Sequence, residues 1–167
     1  GSDQALAEIK AVGGSYPLYG RFTVKDGGNA RGLLSRQNGR YGVLLQELLA
    51  ERLKVKIGDD LLLGNSTVRV AGIIGTEPDA VSEGFGFAPR LMVSEEALQA
   101  SGLVQTGSLV ENAYRVRLAD PDQSLSRVRA DANKAFPKAS WSIRTSNSAA
   151  PSLTANITRF SQFLTLV

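Results

Sequence analysis

The hydrophobic pattern is most regular in residues 41–78. Its first part spaces leucines along one face of a helix ending near Lys54, namely Leu44, Leu45, Leu48, Leu49 and Leu53. After a turn, residues 61–63 predict a strand. The Gly-Asn pair at 64–65 predicts a two-residue hairpin loop of type II′, because glycine stands first. The return strand, residues 67–74, is apolar on both faces, which predicts a central place in a sheet.

Weaker signals flank this stretch. Residues 3–12 fit either a strand or one face of a helix. Residues 21–25 alternate between polar and apolar as a strand does, and the turn-rich residues 25–40 predict a loop. Beyond a glycine-containing loop at 80–89, residues 90–93 predict a further short strand.

Two further helices are predicted from their capping residues. Ser94 caps the first, whose first turn is acidic, and Gly102 ends it. The second is predicted to begin at Asp120 and Pro121 and to end at Pro137. Its apolar spacing predicts a buried face of Leu125, Val128, Ala132, Ala135 and Phe136.

The end of the chain completes a mixed pattern. The second of these helices lies between two predicted strands, 109–118 and 141–145, so residues 109–145 predict a β-α-β unit. A last helix is predicted after it, with an apolar seam formed by Leu153, Ile157, Phe160, Leu164 and Val167. Strands and helices of this kind predict an α+β fold.

Composition narrows the chemistry of the chain. Its 167 residues are 43% hydrophobic, enough for a real core in one domain or two small ones. The absence of cysteine and histidine excludes thiol nucleophiles, disulfides, ordinary zinc sites and histidine acid–base catalysis, and leaves the compartment open. A net charge of +3 does not point to nucleic acid. The chain becomes more apolar toward its end, which we interpret as the approach to a membrane helix.

Several groups were weighed as candidate sites. The carboxylates Asp59, Asp60, Glu77, Asp79 and Glu83 could form an acid–base pair, but turns and a loop account for them without a catalytic partner. The Gly-Phe-Gly-Phe run at 84–87 lacks the Lys-Ser/Thr ending of a phosphate loop. Phe85 and Phe87 either pack in the core or present an apolar tip to a substrate or partner.

The basic residues near the start of the chain allow two interpretations. A solvated face is the default, and attraction to anionic lipid headgroups is the alternative, for Arg21, Lys25, Arg31, Arg36 and Arg40.

The central stretch resembles the extracytoplasmic domain of FtsX-like, MacB-like ABC transporter permeases. The resemblance is carried by the run ELLAERLKVKIGDDLLLGNSTVRV, which ends at Val70, and by AGIIGTEPD directly after it. In order, it comprises a helix, a Lys-x-Gly-Asp turn, an apolar strand, a short hairpin and a V-x-G-I-I strand. SYPLYG at 15–20, APR at 88–90 and SGLV at 101–104 resemble the YbbP-like branch of the family. ITRFSQFL at 157–164 is similar to the approach to that family's second membrane helix.

The resemblance implies a division into parts. Residues 1–40 and 104–150 would form an α/β subdomain that lacks an N-terminal portion found in the family. Residues 41–103 would form an inserted β-rich subdomain with its entry helix. Residues 151–167 would form a membrane-proximal helix leading to a transmembrane segment.

The resemblance also implies a function. The parent would be a bacterial inner membrane permease, with this domain in the periplasm and a cytoplasmic ABC ATPase as partner. ATP hydrolysis would drive export or extraction of an apolar or envelope-derived substrate, and this domain would transmit motion and contact a periplasmic partner or the substrate. Phe85 and Phe87 would make that contact, and the coupling helix would use Leu153, Ile157, Phe160 and Leu164. Neither catalysis, a cofactor, a metal nor nucleic acid is implied. The alternatives are a free-standing periplasmic binding or interaction module, or a lipid- or envelope-acting hydrolase.

Overall fold

The computed structural model describes residues 4–78, 88–120, 124–139 and 141–143. The chain divides into two compact units, residues 1–115 and 116–167. The first unit contains a six-stranded mixed sheet and three short helices. The strands are β1 (Glu8–Val12), β2 (Arg36–Gln37), β3 (Arg40–Leu45), β4 (Asp60–Leu63), β5 (Ser66–Ile73) and β6 (Arg90–Ser94). The helices are α1 (Ala30–Leu34), α2 (Glu47–Leu53) and α3 (Glu95–Ser101).

The sheet mixes parallel and antiparallel pairs. Its strand order is β1-β6-β3-β5-β4, and β2 pairs with β3 off this path. The pairs β1/β6 and β3/β5 are parallel, whereas β2/β3, β3/β6 and β4/β5 are antiparallel. The predicted α+β class is confirmed, and β5 is the central strand that its apolar faces predicted.

Each face of the sheet carries its own core. Side chains of α2 and α3 pack on one face against alternate strand residues such as Val43 and Val70. The other face is covered by α1 and the loop before it, where Val24 and Leu34 pack against Leu44 and Met92. The strict alternation along β3 and β6 therefore serves two cores at once.

A β-bulge interrupts β5. Val43 pairs with Val70 and Leu44 pairs with Gly72, so Ala71 is the extra residue. Both Ala71 and Gly72 then lie on the α1 face, where a Cβ on Gly72 would come within 2.8 Å of Val24. The bulge keeps Ile74 in the same core and glycine lets Val24 approach the strand.

One helix boundary in the central stretch was wrong. Leu44 and Leu45 do not begin a helix: they end β3 and are fully buried, each on a different face of the sheet. Gln46 is the N-cap of α2, and Lys54, in a left-handed conformation with φ 54, ends it. A strand that is buried on both faces is a continuous apolar run. The leucines at the end of β3 happen to stand at helical spacing from those of α2, so the pattern made the helix look longer than it is.

The other expectations for the first unit mostly hold. The strand alternative for residues 3–12 is confirmed as β1, and β4, β6 and α3 lie where predicted. Residues 21–25 contribute a single bridge from Val24 to Ile74 rather than a strand. The loop predicted for 25–40 contains α1 and β2 as well.

The caps of α3 match the prediction. The Ser94 hydroxyl accepts from the Ala97 N–H, and Gly102 ends the helix with φ 66. At the hairpin, Gly64 has the positive φ of 55 that its place in the loop predicted.

The predicted β-α-β unit is not formed as expected in the described residues. α4 (Leu125–Ala135) begins at Ser124, whose hydroxyl accepts from the Arg127 N–H, and not at Asp120. No residue of α4 is buried, so the predicted burial of its apolar face was wrong. Phe136 instead makes an edge contact with Trp141 at 5.3 Å between ring centroids.

The two strands predicted beside α4 are also absent where the structure describes them. Residues 109–118 and 141–143 contain no strand, and 144–145 lie outside the described residues. Alternation alone does not form a strand, because a ladder needs a partner strand.

The division into an α/β part and an inserted β-rich part stays a prediction. The six-stranded sheet draws β1 from residues 1–40 and its remaining long strands from 41–103.

Candidate functional site

The residues predicted to act lie outside the described part of the chain. These are the proposed contact pair, Phe85 and Phe87, and the proposed coupling residues, Leu153, Ile157, Phe160 and Leu164. Their roles stay predictions.

Within the described residues, a buried group of charged side chains is the most distinctive polar feature. Glu77 Oε1 accepts from Lys10 Nζ and from Arg90 Nη1, each at 2.7 Å, and Arg90 Nη2 reaches Glu8 Oε1 at 2.8 Å. The exposed side-chain fractions are 3% for Glu77, 5% for Arg90, 14% for Lys10 and 41% for Glu8. We call these four residues the ion cluster.

Sheet register brings the ion cluster together. Glu8 lies directly opposite Arg90 in the parallel β1/β6 pair. Lys10 lies two residues further along β1, opposite Met92, and therefore on the same face of the sheet. That face is the α1 face, since Lys10 also lies 5.1 Å above the ring of Tyr16, which packs there. Glu77 arrives from the segment that follows β5.

The backbone around Arg90 is held by Gln46. The Arg90 N–H donates to Gln46 Oε1, and the Gln46 N–H donates to the Arg90 carbonyl, both at 2.9 Å. The Glu8 N–H donates to the Pro89 carbonyl at 3.0 Å. Hydrogen bonds from the N-cap of α2 and from β1 therefore hold the start of β6, where the Arg90 side chain joins the cluster.

Charge within the cluster is balanced, with two cations facing two carboxylates. Burial of Arg90 acts to lower its pKa, but the hydrogen bonds and charges of Glu77 and Glu8 outweigh burial, so the pKa is raised above its ordinary value. Arg90 therefore stays cationic at every physiological pH. Glu77 Oε2 is buried and has no hydrogen-bond partner among the described residues, so the cluster is only partly satisfied.

The carboxylates weighed for acid–base chemistry are occupied in structural contacts where they are described. Asp59 Oδ2 accepts from the Lys56 N–H at 2.9 Å inside the turn before β4. Asp60 bridges Arg40 at 3.0 Å and Arg69 at 3.1 Å across the strands. Asp79 and Glu83 lie outside the described residues.

Some of the basic residues near the start of the chain make contacts with other side chains at the protein surface. Lys25 pairs with Glu47 at 2.6 Å, and the Arg36 guanidinium lies 5.6 Å from the Tyr41 ring. These contacts favour the solvated-face interpretation for the described residues involved, because exposed pairs of this kind bind weakly and stay hydrated.

Sequence reasoning missed the ion cluster. The available signal was a pair of opposite charges, Glu8 and Lys10, on one face of a short apolar-alternating strand. A second signal was Arg90 at the start of a strand that is otherwise apolar. The Lys10–Glu77 and Glu8–Arg90 contacts span 67 and 82 residues of the chain, and local patterns do not encode such contacts.

Among the described residues, no group of three or more acidic side chains is placed to hold a metal ion. No helix in the described ranges is both long and apolar enough to cross a membrane.

Two shallow depressions mark the surface of the first unit. One, of about 480 Å³, is lined by residues including Tyr16, Pro17, Phe22 and Arg31. The other, of about 420 Å³, lies where the β4–β5 hairpin meets the end of α3. No residue of the ion cluster lines either depression.

Comparison with known proteins gives the family context. No family model matches the chain. Over 115 residues, 69% of its length, the chain is 37% identical to YbbP of Escherichia coli K12, described as an uncharacterised ABC transporter permease. The chain spans about 13% of the length of that relative. Over these residues the chain is therefore homologous to part of an ABC transporter permease.

Proposed function

We propose that this chain is a periplasmic domain of a bacterial inner membrane ABC permease of the FtsX-like, MacB-like type. The 37% identity to the Escherichia coli permease carries the proposal. The motifs in residues 15–20, 47–78 and 88–104 support the finer family placement, since they occur in the order that this family uses.

The parent protein would work with a cytoplasmic ABC ATPase. ATP hydrolysis would move the membrane helices, and the domain would pass that motion to a periplasmic partner or substrate. The substrate would be apolar or derived from the envelope, and it would be exported or extracted from the membrane.

The packing of the first unit suits such a role. Leu44 and Met92 are fully buried on one face of the sheet, and Val43 and Val70 are fully buried on the other. Close-packed interiors have low compressibility and pass a displacement on with little loss. A sheet clamped by two cores would therefore move as one body when one edge is displaced.

The domain itself would carry no catalytic step. Asp60 and Glu77 are each shared between two basic side chains, an arrangement that holds carboxylates in place rather than freeing one for proton transfer. Turnover of a lipid or peptidoglycan substrate by the isolated chain would contradict this part of the proposal.

The periplasmic location can be tested by labelling. We expect Gln99→Cys, on the exposed side of α3, to react with a membrane-impermeant maleimide in cells whose outer membrane is permeabilised. The variant is made in a cysteine-free parent permease. Ser101→Cys is the matched control, because Ser101 is fully buried two residues away and should react only after denaturation. Labelling of Gln99→Cys only after the inner membrane is lysed would overturn the location.

The coupling role can be tested in residues 153–167. Proline inside a helix costs ~3 kcal/mol or more, so Ile157→Pro should break the predicted seam. In the reconstituted complex we expect ATP hydrolysis to continue while transport of an apolar fluorescent probe falls to background. Asn156→Ala, off the apolar seam, should transport normally. Normal transport by Ile157→Pro would rule out this helix as the link.

The contact role of Phe85 and Phe87 needs a separate variant. We expect the double change Phe85→Ser and Phe87→Ser to lower transport while leaving the thermal unfolding of the domain unchanged. A fall in stability with transport intact would make both phenylalanines core residues instead.

A further inference from the structure

The strand β1 is attached to the sheet differently from the buried strands β3 and β6. β3 buries its last four residues completely or nearly so, and β6 buries its first four. None of the five residues of β1 reaches that level of burial. Ala11 and Val12 only partly contact the two cores, and Ile9 is 37% exposed. Apolar burial therefore contributes little to holding β1 in place.

Hydrogen bonding to the sheet gives β1 only one neighbour. Among the described residues it pairs with β6 alone, through a parallel ladder of five residue pairs. Parallel pairing is slightly less stable per residue than antiparallel pairing. A short edge strand with few buried side chains belongs to the least stable part of a fold and opens before the core does.

The ion cluster supplies the attachment that apolar burial lacks. Lys10 bonds directly to Glu77, and Glu8 reaches Glu77 through Arg90. Two of the five residues of β1 are thereby tied to the segment after β5, which is not its neighbour in the sheet. Charge-assisted hydrogen bonds among buried groups are stronger than neutral ones.

The cluster also selects the register of β1. A slip of one residue would turn Glu8 and Lys10 toward the other face, where Leu91 and Val93 form an apolar core. Burying unpaired charges there costs far more than the cluster gains, so the observed register is enforced.

We propose that the ion cluster is a latch for β1. With the cluster intact, β1 opens together with the sheet. With the cluster broken, β1 opens alone while β3, β5 and β6 keep their two cores. The latch follows from the sheet itself and needs no assumption about transport.

Hydrogen–deuterium exchange of the 167-residue chain tests the latch. The variant Lys10→Met removes the direct ion pair and keeps the length of the side chain. A lost hydrogen bond to a charged group corresponds to about ten- to a hundredfold in an opening equilibrium. We therefore expect exchange of the β1 amides to accelerate about ten- to a hundredfold, while exchange in β3 and β5 changes less than about twofold.

A matched control and a milder variant keep the test decisive. Lys25→Met removes a lysine from the exposed pair with Glu47 and should leave exchange of β1 unchanged. Glu8→Gln weakens only the partly exposed link to Arg90 and should accelerate β1 in the same direction by a smaller factor. This variant leaves the Glu77 pairs intact, so it reports on the latch even where Lys10→Met unfolds the chain.

Two results would overturn the latch. The first is unchanged exchange of β1 in both Lys10→Met and Glu8→Gln, which would show that the ladder and the partial packing hold the strand. The second is equal acceleration of β1, β3 and β5 in Glu8→Gln, which would show that the cluster stabilises the whole sheet and not one strand.

Discussion

Gly42 allows a quantitative test of how α1 lies on the sheet. It is a buried residue of β3, and a Cβ at this position would overlap the carbonyl oxygen of Leu33 in α1. The same Cβ would lie 3.0 Å from the Cβ of Ala71. Neither obstacle is a flexible side-chain end, so Gly42→Ala requires α1 to move away from β3.

The expected cost follows from two opposed terms. Forcing a methyl group into a filled core costs about 1–3 kcal/mol, because neighbouring atoms must shift. Replacing glycine by alanine also restricts the unfolded chain, which returns about 0.4–1 kcal/mol where the native conformation is compatible. Since the obstacles are a backbone oxygen and a methyl group on a second strand, the first term dominates. The net loss is about 0–2.6 kcal/mol, so we expect Tm to fall by up to about 10 °C, at about 2–4 °C per kcal/mol for a chain of this length.

A second glycine in the same region is the control. Gly32 lies in α1, is exposed, and a Cβ there would meet nothing within 4 Å. Gly32→Ala should therefore stabilise the chain by about 0.5–1 kcal/mol through helix propensity. Replacing glycine by alanine is thus expected to lower stability at Gly42 in β3, where a Cβ has no room. It is expected to raise stability at Gly32 in α1, where a Cβ meets nothing.

The assay must report on the first unit. The single tryptophan, Trp141, belongs to residues 116–167, so its fluorescence follows the second unit. Far-UV circular dichroism during thermal and urea unfolding follows the sheet. If Gly42→Ala unfolds at or above the temperature of Gly32→Ala, α1 does not pack on β3 at Gly42 and the described arrangement of that face is refuted.

Three further predictions concern the ion cluster, α3 and the hairpin. Glu77→Ala should destabilise the chain by about 3–5 kcal/mol in urea unfolding, because Arg90 is left buried with its main counter-charge gone; a loss under 1 kcal/mol would contradict that burial. The Glu96 carboxylate accepts from its own backbone N–H and from Ser94, so its pKa lies below 4.5. Its contribution to stability is present at neutral pH and lost as the pH falls through that lowered pKa. Ser94→Ala should raise the pKa in an NMR titration and cost about 1 kcal/mol as a lost cap, and an unmoved pKa would exclude the bond. Gly64→Ala should destabilise by more than about 1 kcal/mol, because φ is 55 and a Cβ would overlap the end of α3; an unchanged Tm would refute that contact.

The sequence pattern predicted a helix or strand correctly where a single local feature, such as a cap or two apolar faces, determines it. α3 was predictable because Ser94 and Gly102 act within one turn of the helix, and β5 because its apolar faces require a central place. The start of α2 was not predictable from spacing. Leu44 and Leu45 fit a helical face in sequence, but burial on two faces of a central strand demands the same residues.

Near α4, the described residues supply neither a partner strand nor a packing surface for the segments that were predicted to need one. Residues 109–118 alternate as an edge strand does, yet a strand exists only when another strand completes its hydrogen bonds. The face predicted for α4 needs a surface to pack against, and no residue of α4 is buried. Periodicity shows which secondary structure a segment is able to form. Whether the segment forms a strand or buries a helix face depends on the segments packed around it.

The candidate site lay beyond sequence reasoning for a different reason. Arg90 joins Glu8 across 82 residues through the register of β1 against β6, and it joins Glu77 across 13 residues through the path of the chain after β5. A single charged residue on an apolar strand normally indicates an exposed position. Here the carboxylates of Glu8 in β1 and of Glu77 after β5 pair with Arg90, so the guanidinium can be buried.

Apolar burial and charge hold different strands of the sheet in place. β3 and β6 gain their stability from apolar contacts on both faces, which hold over a wide range of salt and pH. β1 depends on charge, and a partly satisfied cluster with Glu77 Oε2 unpaired among the described residues is not optimal for stability. Well-packed apolar side chains in place of a buried ion pair are often neutral or stabilising by about 1–4 kcal/mol. The ion cluster therefore gives β1 one defined register in addition to its attachment, which apolar packing of the same size would not do. Once the cluster is broken, β1 lacks the apolar burial that still holds β3 and β6 in place.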